Sequence, residues 1–375
     1  MIINNAKVYR NGHFESASIE FDSHIRSFSP GEGMDACGAY IIPGLIDVHT
    51  HGAMGIDASD CTAEQIHHLA QFYSDNGVTS FCFTTLTVPA DELRSAMKNI
   101  RAYERFGGEA KCAGVHLEGP FVSRGKCGAQ NPGNIRKPDI ALFNELNELS
   151  GGIVRLITVA PEVEGALDFI REASKVCTVS LGHSTADYDQ AMAGFEAGAT
   201  HVTHLFNGME PFHHRKPGLV GAALTAGANV ELICDGVHIH PAMILAVHKM
   251  FGDRLIIVSD SLRCAGLCDG RYNLGGLPMI VRDGRATLLD GTIAGSSSNL
   301  LQELRNVVSY GVPLEAAVKA MTETPAKDIG VFDSIGSLEV SKCADFLVLN
   351  KDLKLMATFI DGKLVNGTTD FESVK

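Results

Sequence analysis

Residues 41–55 read "IIPGLIDVHTHGAMG". An apolar, β-branched run ends there in two histidines, His49 and His51, one residue apart. Residues i and i+2 of a strand project to the same face. Both imidazoles would therefore leave this strand together, either to pack or to share a cation. The rest of the chain decides between these two uses.

The run "GLIDVHTH" (44–51) is the first of eight of its kind. The others are "GVTSFCFTTLT" (77–87), "CAGVHLEGP" (112–120), "IVRLITVAP" (153–161), "CTVSLGHS" (177–184), "ATHVTHLFN" (199–207), "NVELICDGVH" (229–238) and "RLIIVSDS" (254–261). Between most of them lie segments of helical spacing. "TAEQIHHLAQFYSDNG" offers Thr62 as N-cap and Gly77 as stop, and "TADYDQAMAGFEAG" offers Ser184 or Thr185 as cap and Gly198 as stop. Strands apolar on both faces, alternating with helices, imply a parallel sheet covered by helices. Eight such units predict an α/β fold of the (β/α)8, TIM-like kind over residues 44–335. A doubly wound open sheet is the competing architecture, and the Gly-x-Gly-x-x-Gly turn it often carries is absent after the first run. Residues 1–43 and 336–375 alternate with turn residues and carry no helical pattern, so the two ends are expected to pair into one small β-sandwich domain.

In a barrel of this type active sites sit at the carboxyl ends of the strands. Run one ends in His49 and His51, run three in Glu118, run five in His183 and run six in His204. Run seven leads into Asp235 and His238, and run eight ends in Asp260. One histidine on an apolar face is ordinarily a packed core residue. Ionisable groups at the same end of at least five strands are not explained that way, because each left unpaired would cost roughly several kcal/mol of desolvation. Imidazole and carboxylate donors suit zinc, iron and other divalent ions. Glu118 could bridge two ions. Asp260, alone at the end of the last run, suits a general base acting on water.

The chain contains, in order, "PGLIDVHTHG", "HLEGPF", "SLGHST", "THVTHLFNGM", "KPGLVGAAL", "DGVHIHP", "VSDSLRCAG" and "TIAGSSSNL". Together they resemble the N-acetylglucosamine-6-phosphate deacetylases of the amidohydrolase superfamily, and the match covers nearly the whole chain. The resemblance implies a metal-dependent hydrolase that removes acetyl from N-acetyl-D-glucosamine 6-phosphate. By the same resemblance Glu118, His183 and His204 correspond to the main metal ligands, and Asp260 to the catalytic acid and base. Asn207, Gly208, Ala129, Ile293, Ala294, Gly295 and His238 correspond to substrate contacts. Arg215 corresponds to a phosphate-binding arginine that reaches in from the neighbouring subunit of a homodimer.

Some relatives lack both histidines of the His-x-His pair, hold a single metal and carry a histidine at the position of Gln130, where it polarises the amide carbonyl. Here His49 and His51 are both present and Gln130 is not a cation, so a second metal becomes an option, zinc or iron being the expected ions. Three other readings stand beside this one. They are the epimeric N-acetylgalactosamine 6-phosphate as substrate, a different amidohydrolase that uses a carboxylated lysine, and a non-catalytic sugar-phosphate binding protein.

Composition sets outer limits. The net charge of −13 argues against nucleic acid and anionic membrane as partners. It also requires a local cationic patch for an anionic substrate, and "EPFHHRKPG" (210–218) supplies one. Apolar runs of about 8 residues fall far short of a membrane span. Ten scattered cysteines form no CxxC pair and read as reduced thiols, and the N-terminus carries no signal-peptide pattern. The expected location is the cytoplasm.

Overall fold

The computed structural model describes residues 1–371. Its eight parallel strands are β1 Leu45–Thr50, β2 Val78–Thr85, β3 Lys111–Glu118, β4 Val154–Val159, β5 Thr178–Leu181, β6 His201–Val202, β7 Asn229–Ile233 and β8 Leu255–Val258. Each coincides with one of the eight runs, β3 beginning one residue earlier, at Lys111. They pair in sequence order from β1 to β8. The seam closes at the carboxyl ends, where Asp260 N donates to His49 O and His51 N donates to Ser261 O, both at 2.9 Å. Every residue of β1 and β2 is buried, because one face meets the barrel interior and the other meets helices.

A helix follows each strand: α1 Ala63–Asp75, α2 Ala90–Ala102, α3 Ile140–Leu149, α4 Ala166–Ala173, α5 Tyr188–Glu196, α6 Gly218–Ala226, α7 Pro241–Phe251 and α8 Leu300–Ser309. Thr62 caps α1 as expected, in a reciprocal capping box with Gln65. The expected cap of α5 was one turn too early. Asp187 caps it, in a box with Gln190. Ser184 and Thr185 are diverted because their hydroxyls donate to Glu162, at 2.7 and 2.9 Å.

Two further helices follow, α9 Leu314–Met321 and α10 Glu323–Asp328. Asp328 accepts from Asn229 Nδ2 at 2.7 Å and lies 2.8 Å from His201 Nδ1. Those are the first residues of β7 and β6, so α10 covers the amino-terminal mouth of the barrel. The eight-run rhythm gave no sign of one insertion. Between β8 and α8, segments Gly270–Leu274, Leu277–Arg282 and Arg285–Leu288 form a three-stranded antiparallel sheet.

The chain ends meet in a separate sheet. Its order runs Lys363–Gly367, Leu355–Ile360, Phe346–Leu349, Tyr40–Pro43, Ile2–Arg10, His13–Phe21, Ile25–Ser27, with Met34–Asp35 added beside Ile2–Arg10. Phe21 and Phe359 sit on strands four places apart, which in a flat sheet would separate them by roughly 19 Å. Their ring centroids lie 5.4 Å apart, and Phe21 also meets Phe346 at 4.9 Å. The sheet therefore folds over onto itself around its own apolar core. Residues 372–375 of the expected terminal domain lie outside the described residues. One glycine, Gly44, joins this sheet to β1, and a Cβ there would collide with the Thr79 side chain. No helix among the described residues is long and apolar enough to cross a membrane.

Candidate active site

The site is built from the ends of the strands. His49 lies within β1 and His51 one residue beyond it, while Glu118 is the last residue of β3. His183, His204 and Asp260 each sit two residues past the ends of β5, β6 and β8. At these last three positions the backbone turns through positive φ, 46°, 27° and 46° respectively. Such conformations cost non-glycine residues of order 1–3 kcal/mol and persist where the surroundings enforce them. Here they turn the side chains inward over the barrel mouth.

Glu118 is the centre of the arrangement and is 2 % exposed. Its Oε1 lies 3.0 Å from His183 Nε2, 2.9 Å from His204 Nε2 and 3.5 Å from His49 Nε2. Its Oε2 lies 3.3 Å from His51 Nε2. Asp260 Oδ1 lies 3.1 Å from His51 Nε2 and 3.5 Å from His49 Nε2. The chain thus brings all five expected ligands and the expected base into one cluster.

Three of the four imidazoles have their far nitrogen occupied. His49 Nδ1 meets Glu231 Oε2 at 2.8 Å, His51 Nδ1 meets Thr84 O at 3.1 Å and His183 Nδ1 meets Lys126 O at 3.0 Å. These acceptors hold a proton on Nδ1, so Nε2, the nitrogen facing Glu118, is the one left to bind a cation. His49 Nε2 is buried and makes no hydrogen bond.

The residues fit a divalent cation. His49, His51 and Glu118 form one set of close donors, and Glu118, His183 and His204 form a second. Two ligands of a tetrahedral zinc stand roughly 3.4 Å apart, given bonds of about 2.1 Å, and the separations above are of that size. A third grouping, His49, His116 and Glu231, is different in kind. Both ring nitrogens of His116 have neutral partners, Val48 O at 3.2 Å and Thr158 Oγ1 at 2.8 Å. Burial and the neighbouring His49 charge push His116 down to about 3, so it is a neutral core histidine.

Without a cation the cluster carries an excess of negative charge, and the imidazoles respond to it. Burial alone would lower His49, but Glu231, Asp260 and Glu118 outweigh it and raise it to about 9. Burial likewise opposes protonation of His51, yet hydrogen bonds to Asp260 and Glu118 raise it well above its ordinary value. Burial would raise Asp260, but the His49 charge and the His51 hydrogen bond lower it. Its carboxylate is therefore held ionised.

Above the cluster lies a cavity of about 190 Å³. Ala129, Gln130, Asn207, Gly208 and His238 line it, as do Ile293, Ala294 and Gly295. Gln130 is engaged: its Oε1 accepts from Thr87 N at 2.7 Å and its Nε2 donates to Glu118 Oε2. Gly208 has φ of 60°, and a Cβ there would come 2.8 Å from His183 Nδ1. His238 is clasped between Asp235 Oδ2 at 2.7 Å and Ala294 O at 2.6 Å. Burial would lower this imidazole, but the Asp235 hydrogen bond raises it. Arg215 stands outside the cavity on an exposed loop, its Nη1 2.7 Å from His214 Nε2.

Sequence reading missed several contributors, among them Leu86, Gly128, Leu262, Leu274 and Thr292 of the cavity wall and Glu231 behind His49. Leu274, from the inserted sheet, lines the cavity, and nothing in the eight-run rhythm announces it. Glu231 was legible in principle, since a carboxylate inside the apolar run "NVELICD" is rarely buried without a partner.

Comparison with known proteins agrees with this geometry. Residues 40–365 match the family model described as the amidohydrolase family. The chain is 36% identical over 330 residues to the N-acetylglucosamine-6-phosphate deacetylase of Vibrio furnissii, covering 87% of this chain and 82% of that one. It is also 36% identical over 330 residues to the N-acetylgalactosamine-6-phosphate deacetylase of Escherichia coli O157:H7, covering 87% and 88%. Among solved structures, a mutant of the N-acetyl-D-glucosamine-6-phosphate deacetylase of Mycobacterium smegmatis, in complex with N-acetyl-D-glucosamine-6-phosphate, superposes with a TM-score of 0.91. That alignment has 30% identity and covers 97% of this chain and 99% of the other.

Proposed function

The chain belongs to the amidohydrolase family, and from that membership we propose that it hydrolyses the acetamide of N-acetyl-D-glucosamine 6-phosphate to glucosamine 6-phosphate and acetate. The observation that carries the reading is the placement of Glu118 between two histidine pairs, with Asp260 against one of them.

Glu118, His183 and His204 would hold one divalent ion, and His49 and His51, sharing Glu118, a second. Zinc and iron both suit this donor set. A bound ion supplies Lewis acidity and lowers the pKa of water towards ~7. The remaining chemistry belongs to side chains. Asp260 accepts the proton of the attacking water as its oxygen adds to the amide carbon. When the C–N bond breaks, Asp260 returns that proton to the departing sugar amine. Its Oδ1 stands 3.1 Å from His51 Nε2, so the carboxylate would lie beside the ion that His51 helps to hold. Asn207, Gly208, His238, Ala129 and the segment Ile293, Ala294 and Gly295 form the walls that orient the sugar.

Arg215 is exposed in the single chain, and its planar fork suits phosphate. It would reach the phosphate bound by a second copy, so the working unit is a homodimer. The ten cysteines are all unpaired, which supports a reducing cytoplasmic setting.

A second reading rests on the equal identity to the galactosamine-type relative. The two substrates differ at one sugar hydroxyl. Steady-state turnover of both epimeric 6-phosphates by the zinc-loaded protein separates them. The gluco epimer should give the higher kcat/KM, and a preference for the galacto epimer would reverse the assignment. Catalysis through a carboxylated lysine lacks support, because Glu118 stands where the two donor sets meet.

A further inference from the structure

The structure assigns to Glu231 the role of positioning residue for the ion held by His49 and His51, selecting the His49 tautomer that can bind it. The assignment rests on the two-ion reading above and goes one shell deeper.

Glu231 projects from β7 into the barrel and is completely buried. One oxygen, Oε2, serves two partners: His49 Nδ1 at 2.8 Å and the backbone N–H of His204 at 3.1 Å. The other, Oε1, faces His201 Nε2 at 3.2 Å, and His201 Nδ1 meets Asp328 Oδ2 at 2.8 Å. A His201–Asp328 pair that reaches the far mouth of the barrel thus stands beneath Glu231, close enough for charge attraction though not hydrogen-bonded to it.

An ionised carboxylate only accepts hydrogen bonds. His49 must therefore present its proton at Nδ1, and the lone pair is left on Nε2. That atom is buried without a hydrogen-bond partner and points at Glu118 and Asp260, each 3.5 Å away. The opposite tautomer would put the proton on Nε2, between two carboxylates that would accept it gladly and where no ion could then bind. Glu231 excludes that alternative. His51 needs no such help, because its Nδ1 faces a backbone carbonyl, Thr84 O.

The effect falls selectively on one ion. His204 is placed by Glu231 as well, but through its backbone. The next residue, Leu205, donates its N–H to the Glu231 carbonyl at 2.8 Å, a bond that every substitution at 231 keeps. Removing the side chain should disturb the His49 side of the site far more than the His183–His204 side.

The test is a stepwise zinc titration of metal-stripped protein against a chromophoric chelator, which resolves each ion without reference to activity. The wild type should take two ions per chain. In Glu231→Ala the tighter ion should keep its affinity within about threefold while the second weakens about 10- to 100-fold, the usual cost of losing such a partner. Glu231→Gln retains an acceptor oxygen and should lie between the two. Adding Glu231→Ala to His49→Ala should weaken the second ion no further than His49→Ala alone. If Glu231→Ala does not fold, by thermal unfolding of the stripped protein, Glu231→Gln carries the test through a severalfold loss confined to the second ion. Wild-type affinity for both ions in the Glu231 variants, or equal weakening of both, overturns the assignment while leaving the two-ion site standing. A wild type that takes a single ion overturns both together.

Discussion

His51 Nε2 lies 3.1 Å from Asp260 Oδ1 across the seam where the first and last barrel strands meet. The backbone bonds of that seam, Asp260 N to His49 O and His51 N to Ser261 O, hold the two chain segments in register. The bonds that close the barrel thus also set Asp260 beside His51. Asp260→Asn keeps the shape of the side chain and removes its capacity to take a proton. It should lower kcat by about 10²–10⁴-fold, the range for a general acid–base group, with metal content unchanged. Near-wild-type kcat in a metal-replete variant would reject the role.

Arg215 should act on phosphate and in trans. Charge-assisted hydrogen bonds of about 1.5–3 kcal/mol imply that Arg215→Ala raises KM for the phosphorylated sugar about 10- to 100-fold and leaves an unphosphorylated analogue nearly unaffected. Co-expressed Asp260→Asn and Arg215→Ala chains should yield dimers with one site that combines an intact Asp260 with the partner's intact arginine. A population of sites with wild-type KM is the expected result. Its absence would place Arg215 in cis or outside the reaction.

The buried His201 makes the metal-free protein sensitive to pH. Burial would lower this imidazole, but Asp328 and Glu231 outweigh it and raise it from 6.5 to about 10. The folded state therefore binds a proton that the unfolded chain releases above pH ~6.5, and this contribution to stability fades as pH rises through about 10. The unfolding midpoint of stripped protein should fall across that interval, and His201→Gln should flatten the slope. An unchanged slope would mean that the imidazole is neutral in the fold.

At α1 the capping box bears on local stability alone. Thr62 Oγ1 accepts from Gln65 N at 3.3 Å, and Gln65 Oε1 accepts from Thr62 N at 2.9 Å. Thr62→Ala should cost ~1 kcal/mol and lower the urea midpoint without changing m or kcat. An unshifted midpoint would show that the box adds nothing in this context.

How much of this was legible in the sequence follows from the physics of each part. The eight strands announced themselves because a strand buried on both faces is largely apolar, and most of its ionisable groups gather at its carboxyl end. That contrast exposed His49, His51, Glu118, His183, His204 and Asp260 together. The α5 cap was misplaced because Ser184 and Thr185 have the right chemistry for capping but spend it on Glu162, a tertiary partner that local reading does not contain. The inserted sheet that brings Leu274 to the cavity has the alternation of an ordinary exposed hairpin and no tie to the eightfold rhythm. Glu231, His201 and Asp328 lie far apart in the chain, and only the closed barrel stacks them beneath His49.

The most direct measurement is acetate release from N-acetyl-D-glucosamine 6-phosphate by the purified protein, before chelation, after chelation and after zinc is restored. The account predicts acetate and glucosamine 6-phosphate in equal amounts, loss of turnover when metal is removed, and recovery when it returns. Failure to release acetate from this sugar phosphate with any divalent metal, in protein shown to carry that metal, would contradict it.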